Sequence, residues 1–514
     1  MKKPLHVKCF GAVLLIFALS KTTHAQFSLQ GQLRTRTEIR DGVGNLPKTG
    51  AKPAAFTSQR TGLIFGYKWD RLTFGVNVRD VRVWGQDAAS INNADGSKLF
   101  LHEAWAEIIL ANSADTTLKF RAFDNLSLKI GRQELVYDDV RLLGNLDWLQ
   151  QGRRFDMALL KAMKNGWQID LGVAFNQNSD AFGRAGTFYA AGNAPATVAN
   201  SKGAFVSVPT DFIPTSGKGG APLLASPLST NGQNQMFKSM QMLYVSRKFG
   251  QTKFSGLFFK DDFQKYRIDS LGSTANGVVY GRRYDVEGVN SRITYGAMFT
   301  GLVGNASSKL GKIAWQAFAY KQGGKNRDGQ SLSAFHYGAN VSIQKGKLSF
   351  GPGYEVLSGN NTVSPDGKDH RFDPLYGTPH KHWGYMDYFY VGTGAPAGGL
   401  GNAFFKTKYL ANPNLYFTFD IHHFALANDM KNGLDASGGK INRQLGNEFD
   451  FIVNYNLNKF TNVELGYCYL KGSNSLEYAK LGTMDKTKHG ANWAYLMLNI
   501  RPDFFYTKPV AIKQ

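Results

Sequence analysis

The stretch FSLQGQLRTRTEIR, residues 27–40, sets Phe27, Leu29, Gly31, Leu33, Thr35, Thr37 and Ile39 against Ser28, Gln30, Gln32, Arg34, Arg36, Glu38 and Arg40 in strict alternation. A strand points successive side chains to opposite faces, so this segment has one apolar-leaning face and one face of charges and amides. The same period returns along the chain. Leu72, Phe74, Val76 and Val78 oppose Arg71, Thr73, Asn77 and Arg79, and Trp167, Ile169, Leu171, Val173 and Phe175 oppose Gln168, Asp170 and Asn176. Phe335, Tyr337, Val341 and Ile343 oppose His336, Asn340, Ser342 and Gln344, and Phe449, Phe451, Val453, Tyr455 and Leu457 oppose Glu448, Asp450, Asn454 and Asn456. A soluble half-buried sheet gives the same alternation, and over three or four strands it would be the better reading. Here the pattern runs from residue 27 to residue 500 with no long amphipathic helix between. Turn signals such as Asp95-Gly96, Lys164-Asn165-Gly166 and Gly323-Gly324 separate the strands. One all-β unit follows, with room for roughly 16 to 18 strands of about 10 residues, which is porin size.

Composition agrees. Glycine supplies 57 of 514 residues, charged residues are 19% and aromatics 13%. The usual shares of glycine and charge are about 7% and about 25%. A charge-poor, aromatic-rich chain is not disordered, and this much Gly, Tyr and Phe suits turns and strands better than helical bundles. The 60 basic against 38 acidic residues give +22, which in a cytoplasmic protein would point to nucleic acid. The N-terminus excludes that partner. Met1, Lys2, Lys3 and Lys8 open the chain, an apolar run covers 10–19, and Thr23-His24-Ala25 precedes Gln26. This predicts a signal peptide over 1–25 and a mature domain over 26–514. The apolar run falls short of the about 20 residues of a spanning helix. Four leader lysines leave with it, so the mature charge is +18; Cys9 leaves too, and Cys468 alone forms no intramolecular disulfide. These features predict a transmembrane antiparallel β-barrel in the outer membrane of a Gram-negative bacterium, in contact with outer-membrane lipids and needing no cofactor.

The predicted lumen face is basic near the N-terminus, where Arg34, Arg36, Arg40, Arg71 and Arg79 are opposed by Glu38. Large barrels turn charges inward in any case, because a basic residue at the bilayer midplane costs about 2 to 4 kcal/mol. That alone leaves the excess charge unexplained, whereas a positive pore concentrates anionic solutes. A contact at about 4 Å in water is worth about 1 kcal/mol, so several in series attract a polyanion without trapping it. Two stretches, 178–233 and 357–403, break the strand rhythm and read as long extracellular loops or loops folded into the pore.

The densest segment runs Gly131-Arg132-Gln133-Glu134-Leu135, Arg141-Leu142-Leu143-Gly144, Asp147-Trp148 and Gly152-Arg153-Arg154-Phe155-Asp156. Leu126, Leu128 and Ile130 put Arg132 on the lipid phase; either a bulge at Gly131 turns it inward or Arg132 lies beyond the hydrocarbon. Arg154 and Asp156 alternate with Phe155, Met157 and Leu159 and read as lumen residues. Residues 131 to 156 resemble the alginate export family of Gram-negative outer-membrane barrels, which carry a Gly-Arg-Gln strand, an Arg-Leu-Gly turn, an Asp-Trp and a Gly-Arg-x-Phe-Asp strand. Weaker support comes from 373–387 and 446–455. The turn departs by one extra Leu between Arg141 and Gly144, and 508–514 lacks the terminal aromatic residue common in such barrels. The resemblance implies about 18 strands around an arginine-lined constriction that passes an acidic, alginate-like polysaccharide or its oligomers. By match to the motif, Arg132 and Arg154, then Arg141 and Arg153, would be constriction residues, with Asp156 their counter-charge. The expected pore set is thus Arg34, Arg36, Arg71, Arg79, Arg132, Arg141, Arg153, Arg154 and Asp156.

Two other readings stay open, a general anion-preferring porin and a barrel enzyme acting on polysaccharide or lipid. Glu103 and Glu107 flank Trp105 on one strand face, but residues four apart on a strand lie about 13 Å apart, beyond the roughly 5 to 9.5 Å of a glycosidase pair. A lumen salt-bridge role fits them better. His422 and His423 point to opposite faces. His370, His380 and His382 share a loop with Asp369, Asp373 and Asp387 at no recognised metal spacing, and Tyr376, Trp383 and Tyr385 there suit loop packing better than sugar contact. Serine-hydrolase, zinc-protease and phosphate-loop motifs are absent, so a channel, not an enzyme, is expected.

Overall fold

The computed structural model describes residues 26–85, 99–178, 188–224, 237–390 and 394–506, apart from 116, 119, 193, 306 and 307. The expected leader over 1–25, the Asp95-Gly96 turn and 508–514 lie outside the described residues. Seven antiparallel strands open the barrel: β1 (Gln26–Asp41), β2 (Ala54–Trp69), β3 (Leu72–Val83), β4 (Leu99–Asn112), β5 (Asn125–Gln133), β6 (Phe155–Lys164) and β7 (Trp167–Phe175). The wall continues from Ser239–Phe249, which pairs with β7, round to Gly490–Ile500, which pairs with β1 and closes the sheet. Asp503–Tyr506 prolongs that last strand beyond Arg501-Pro502 and also pairs with β1. The result is a closed antiparallel barrel of 18 strands.

Its two ends differ. At one, two-residue turns such as Asp70-Arg71, Asn165-Gly166, Gly250-Gln251 and Pro413-Asn414 join neighbours. Asn165 and Gly166 both have positive φ, the turn that matches strand twist and that Asn-Gly favours. The other end carries the long segments, including 134–154, 176–238 and 358–399, as in outer-membrane barrels with short periplasmic turns. The outer surface shows the alternation read from the sequence: Leu63, Leu72, Phe74, Leu171, Val173, Tyr337, Phe451 and Leu465 are exposed, while Arg34, Asn77, Asp170, His336 and Asp450 are buried. Nonpolar side chains thus cover the outer face of the strand middles.

The buried core lies inside the barrel. Segments 134–154 and 358–390 fold into the lumen, and Leu142, Leu143, Phe372, Tyr376, Trp383, Met386 and Phe389 pack with wall residues Phe155, Phe424 and Trp493 in one cluster. Each fully buried side chain of this kind contributes about 1.5 to 3 kcal/mol. The two segments also clasp each other through their backbones: Tyr376 N–H donates to Leu142 O (2.9 Å), Gly144 N–H to Tyr376 O (3.0 Å) and Thr378 N–H to Val140 O (2.8 Å). A short helix, Asn474–Leu481, capped by the Ser473 hydroxyl, covers part of this layer; its Lys480 donates to Tyr388 O at 2.6 Å.

Candidate functional site

The site is built where segment 134–154 meets the wall of β1, β2 and β3. The lumen phase of β1 carries Arg34, Arg36 and Glu38, that of β2 Ser58 and Arg60, and that of β3 Asn77 and Arg79, all buried. Register sets Arg34 directly opposite Arg60. Like charges opposite one another destabilise a strand pair, and here one carboxylate lies between them. Asp147 accepts from Arg60 Nη1 at 2.6 Å and Arg34 Nη1 at 3.2 Å. Both guanidiniums also grip the loop backbone. Arg60 donates to the carbonyls of Gln150 (2.5 Å), Leu149 (2.6 Å) and Asp147 (3.2 Å), and Arg34 to the Gln150 side chain (3.0 Å) and Leu149 O (3.2 Å).

Arg36 extends the group. It donates to Trp148 O at 2.8 Å, stands 4.1 Å over the Trp148 ring and pairs with Glu38 at 2.8 Å. Glu38 is itself held by Arg40 and by Trp493 Nε1. On β3, Arg79 reaches Gln151 O (3.3 Å) and Glu134 (3.5 Å). Gly152 makes this approach possible, because at its φ of +69° a Cβ would sit 2.8 Å from Arg79 Nη1 and His102 Cε1. The Asp147 side chain keeps 40% of its surface exposed while Arg34 and Arg60 show 4% and none. Burial alone would raise the Asp147 carboxyl, but Arg60 and Arg34 hold it well below the usual carboxylate range.

The other end of the loop is tied to the far wall. Asp138 accepts from Tyr244, Lys253 and Ser255 at 2.8 to 2.9 Å, and Asp139 from Gln316 at 2.6 Å. Arg141 pairs with Glu355 and Asp139 and stands 4.1 Å over Phe318; burial opposes its charge, but Glu355 and Asp139 raise the guanidinium further. The segment thus crosses the lumen from wall to wall.

The expected pore residues divide. Arg34, Arg36 and Arg79 join the wall cluster, and Arg141 lies within the crossing loop. Arg153 is buried at the loop's end, donating to Gly377 O at 2.6 Å; burial pulls it down to about 10. Arg71 stands at the two-residue turn between β2 and β3, paired with Asp115 at 3.2 Å and remote from the cluster. Arg132 and Asp156 form a two-bond pair (2.7 and 2.8 Å) across β5 and β6 on the outer face, with 36% and 55% of their side chains exposed. That corrects the inward reading of both. The register of β5 with β6 is continuous through Gly131, so no bulge there turns Arg132 inward, and the pair lies one residue from the loop end of the strands. Phe155, Met157 and Leu159 are the inward residues of β6, packed beneath the inserted loops. Arg154 precedes β6 and lies 4.9 Å over the Phe100 ring, whose strand partner is the inward Arg79.

Sequence reasoning passed over Arg60 and gave Asp147 no role. Extending the outward parity of Leu63 back through Thr61, Gln59 and Thr57 would have turned Arg60 inward. The residues weighed for other chemistries are held in structural contacts. Glu107 pairs with Lys161 (3.0 Å) and Ser127 (2.7 Å), and Glu103 accepts from Trp105 (3.2 Å). The histidines separate: His380 bonds Asp387 (2.7 Å), His382 donates to Asp139 O (3.1 Å), and His370 meets Ser333 O (2.6 Å). Tyr376 and Trp383 are buried in the core. His102, Glu103 and Glu134 could bring ligand atoms within 4.8 Å of one another, but Glu134 is already held by His102, Asn145 and Arg79.

Residues 25–176 match the family described as Alginate export, a span that includes β1 to β7 and the whole crossing loop 134–154. No curated protein sequence matches significantly. Among solved structures, the chain is similar in fold to OpdO of Pseudomonas aeruginosa, with 12% identity, a TM-score of 0.51 and coverage of 93% of this chain and 98% of that one. OccK10 (OpdN) of the same organism gives 10%, 0.52, 93% and 99%, and OccK9 (OpdG) gives 13%, 0.51, 93% and 98%. The chain is therefore a closed 18-stranded antiparallel β-barrel of outer-membrane type whose residues 25–176 match the family described as Alginate export.

Proposed function

We propose that this channel passes anionic polysaccharide of the alginate type, or its oligomers, along a lumen wall made positive by Arg34, Arg36, Arg60 and Arg79. The observation that carries the reading is the clamp on Asp147. Two buried guanidiniums from adjacent strands converge on one half-exposed carboxylate, so the wall is already a carboxylate receptor, and it lies within the span that matches the alginate export family. Arginine suits this task because its planar fork binds carboxylates with two parallel bonds and stays charged. The four arginines meet three acids, Glu38, Asp147 and Glu134, which leaves the group one positive charge in excess.

A channel of this design prefers anions at low salt, and the preference weakens as the screening length shrinks from about 10 Å at 0.1 M to about 3 Å at 1 M. Planar-bilayer recording with uronate oligomers tests the substrate class. Transient block by oligouronates but not by neutral oligosaccharides of equal length supports it, and equal block by both contradicts it.

A further inference from the structure

We infer that the long-loop end of the barrel holds a second anion site, a capture subsite for a carboxylated disaccharide, in the cavity bordered by Arg153, Arg292, Arg327, Arg371, Phe372 and Tyr390; this rests on the polyuronate reading above. The cavity measures about 300 Å³. That is the lower end of the about 300 to 1,000 Å³ of small-ligand pockets, suited to one or two sugar rings and too small for a polymer coil. Its lining comes from the long-loop ends of the wall strands, from 326–328 and from the inserted segment 358–390, so it stands before the crossing loop for a solute arriving from outside.

The arginines are not equivalent. Arg292 is clamped by Asp261 and Asp373, and Arg371 holds Asp369 by two bonds of 2.9 and 3.1 Å with 48% of its side chain exposed. Arg153 is different. It is 6% exposed, its Nη1 is satisfied by Gly377 O, its Nε meets no acceptor, and no carboxylate pairs with it among the described residues. The cavity's own acids, Asp328, Asp369 and Asp373, leave Arg153 without a bonded partner, although the charge of Asp373 reaches it; a buried guanidinium with a free donor is suited to an incoming anion. Arg371, with half its side chain exposed, offers a second cationic contact on the same cavity. Tyr390 supplies a flat wall for a sugar ring, and Asn326 an amide for hydroxyls. Carboxylate, hydroxyl and ring face together describe a uronate rather than a neutral sugar or a bare inorganic anion.

Calorimetric titration of the purified full-length protein in detergent with dimannuronate, with cellobiose as neutral control, tests the assignment. Saturable binding of dimannuronate alone is expected, weakened about tenfold or more by Arg371→Ala and by Arg153→Gln. Glutamine keeps an amide donor near Gly377 O, and Arg371→Ala, at an exposed position, carries the test if Arg153→Gln fails to fold. Undiminished binding in the folded variants, equal binding of cellobiose, or no saturable binding by the wild type would each overturn the subsite. If the wild type fails to bind yet keeps its anion preference in bilayers, the subsite alone falls. A channel without anion preference overturns the polyuronate reading beneath it.

Discussion

Arg60 and Arg132 each hold an aspartate at 2.6 to 2.7 Å, in neighbouring parts of one barrel, yet the two pairs do different work. Arg60 is fully buried and spends its remaining donors on three carbonyls of the crossing loop. Arg132 stands on the outer rim, paired across two strands with a half-exposed partner. The first pair fixes where a loop runs through the lumen; the second neutralises charge above the lipid belt. Ion-pair geometry does not separate them. Burial and the number of main-chain acceptors do.

Removing each arginine should therefore give unequal effects. Arg60→Ala is expected to cost about 3 kcal/mol locally, because Gln150 O loses its donor and the Asp147 carboxylate and Leu149 O are left with the hydrogen bonds from Arg34. The loop should detach from β2, seen as larger single-channel conductance and faster proteolysis within 134–154; unchanged conductance would mean that the loop is held from the far wall alone. Asp147→Asn comes next, at about 1 to 3 kcal/mol, since the amide keeps the shape but leaves Arg34 and Arg60 facing each other uncompensated. Anion preference should rise in this variant. An unchanged preference would show that Asp147 is not in the conduction path.

The pH dependence follows from the same clamp. A carboxyl held below its free value stabilises the fold fully above that value, about 3.9, and the contribution is lost as pH falls through the lower folded value. The loop should stay attached from neutral pH down to about pH 5 and loosen only in strong acid. Conductance recorded across that range checks it. A step near neutrality would point to another group. The smallest effect belongs to Arg132→Ala, about 0 to 1 kcal/mol, with selectivity unchanged; heat-modifiability on a gel and reversal potentials report the two parts.

The barrel was legible because lipid imposes one rule on every wall strand, apolar outward at the middle. Leu72, Phe74, Leu171 and Phe451 obey it, and their neighbours turn inward. The rule says nothing about a lumen filled by apolar loops, so β6 misled. Phe155 and Met157 pack beneath Tyr376 and Leu143 instead of facing lipid, which reverses the parity of Asp156. Arg60 was hidden for the opposite reason, since 57–61 is polar on both faces. The pairing of Arg34 with Arg60 depends on register, and the meeting of both with Asp147 depends on where a loop returns after crossing the lumen. Neither leaves a local trace in the sequence.

The most direct measurement is the reversal potential of the reconstituted channel in a salt gradient near 0.1 M, compared among the wild type, Arg34→Ala/Arg60→Ala and Arg132→Ala, where screening extends only about 10 Å. The lumen wall predicts a clear anion preference in the wild type, most of it lost in the double variant and kept in Arg132→Ala. Cation preference in the wild type, or equal loss in both variants, would contradict the assignment of the positive wall to β1, β2 and β3.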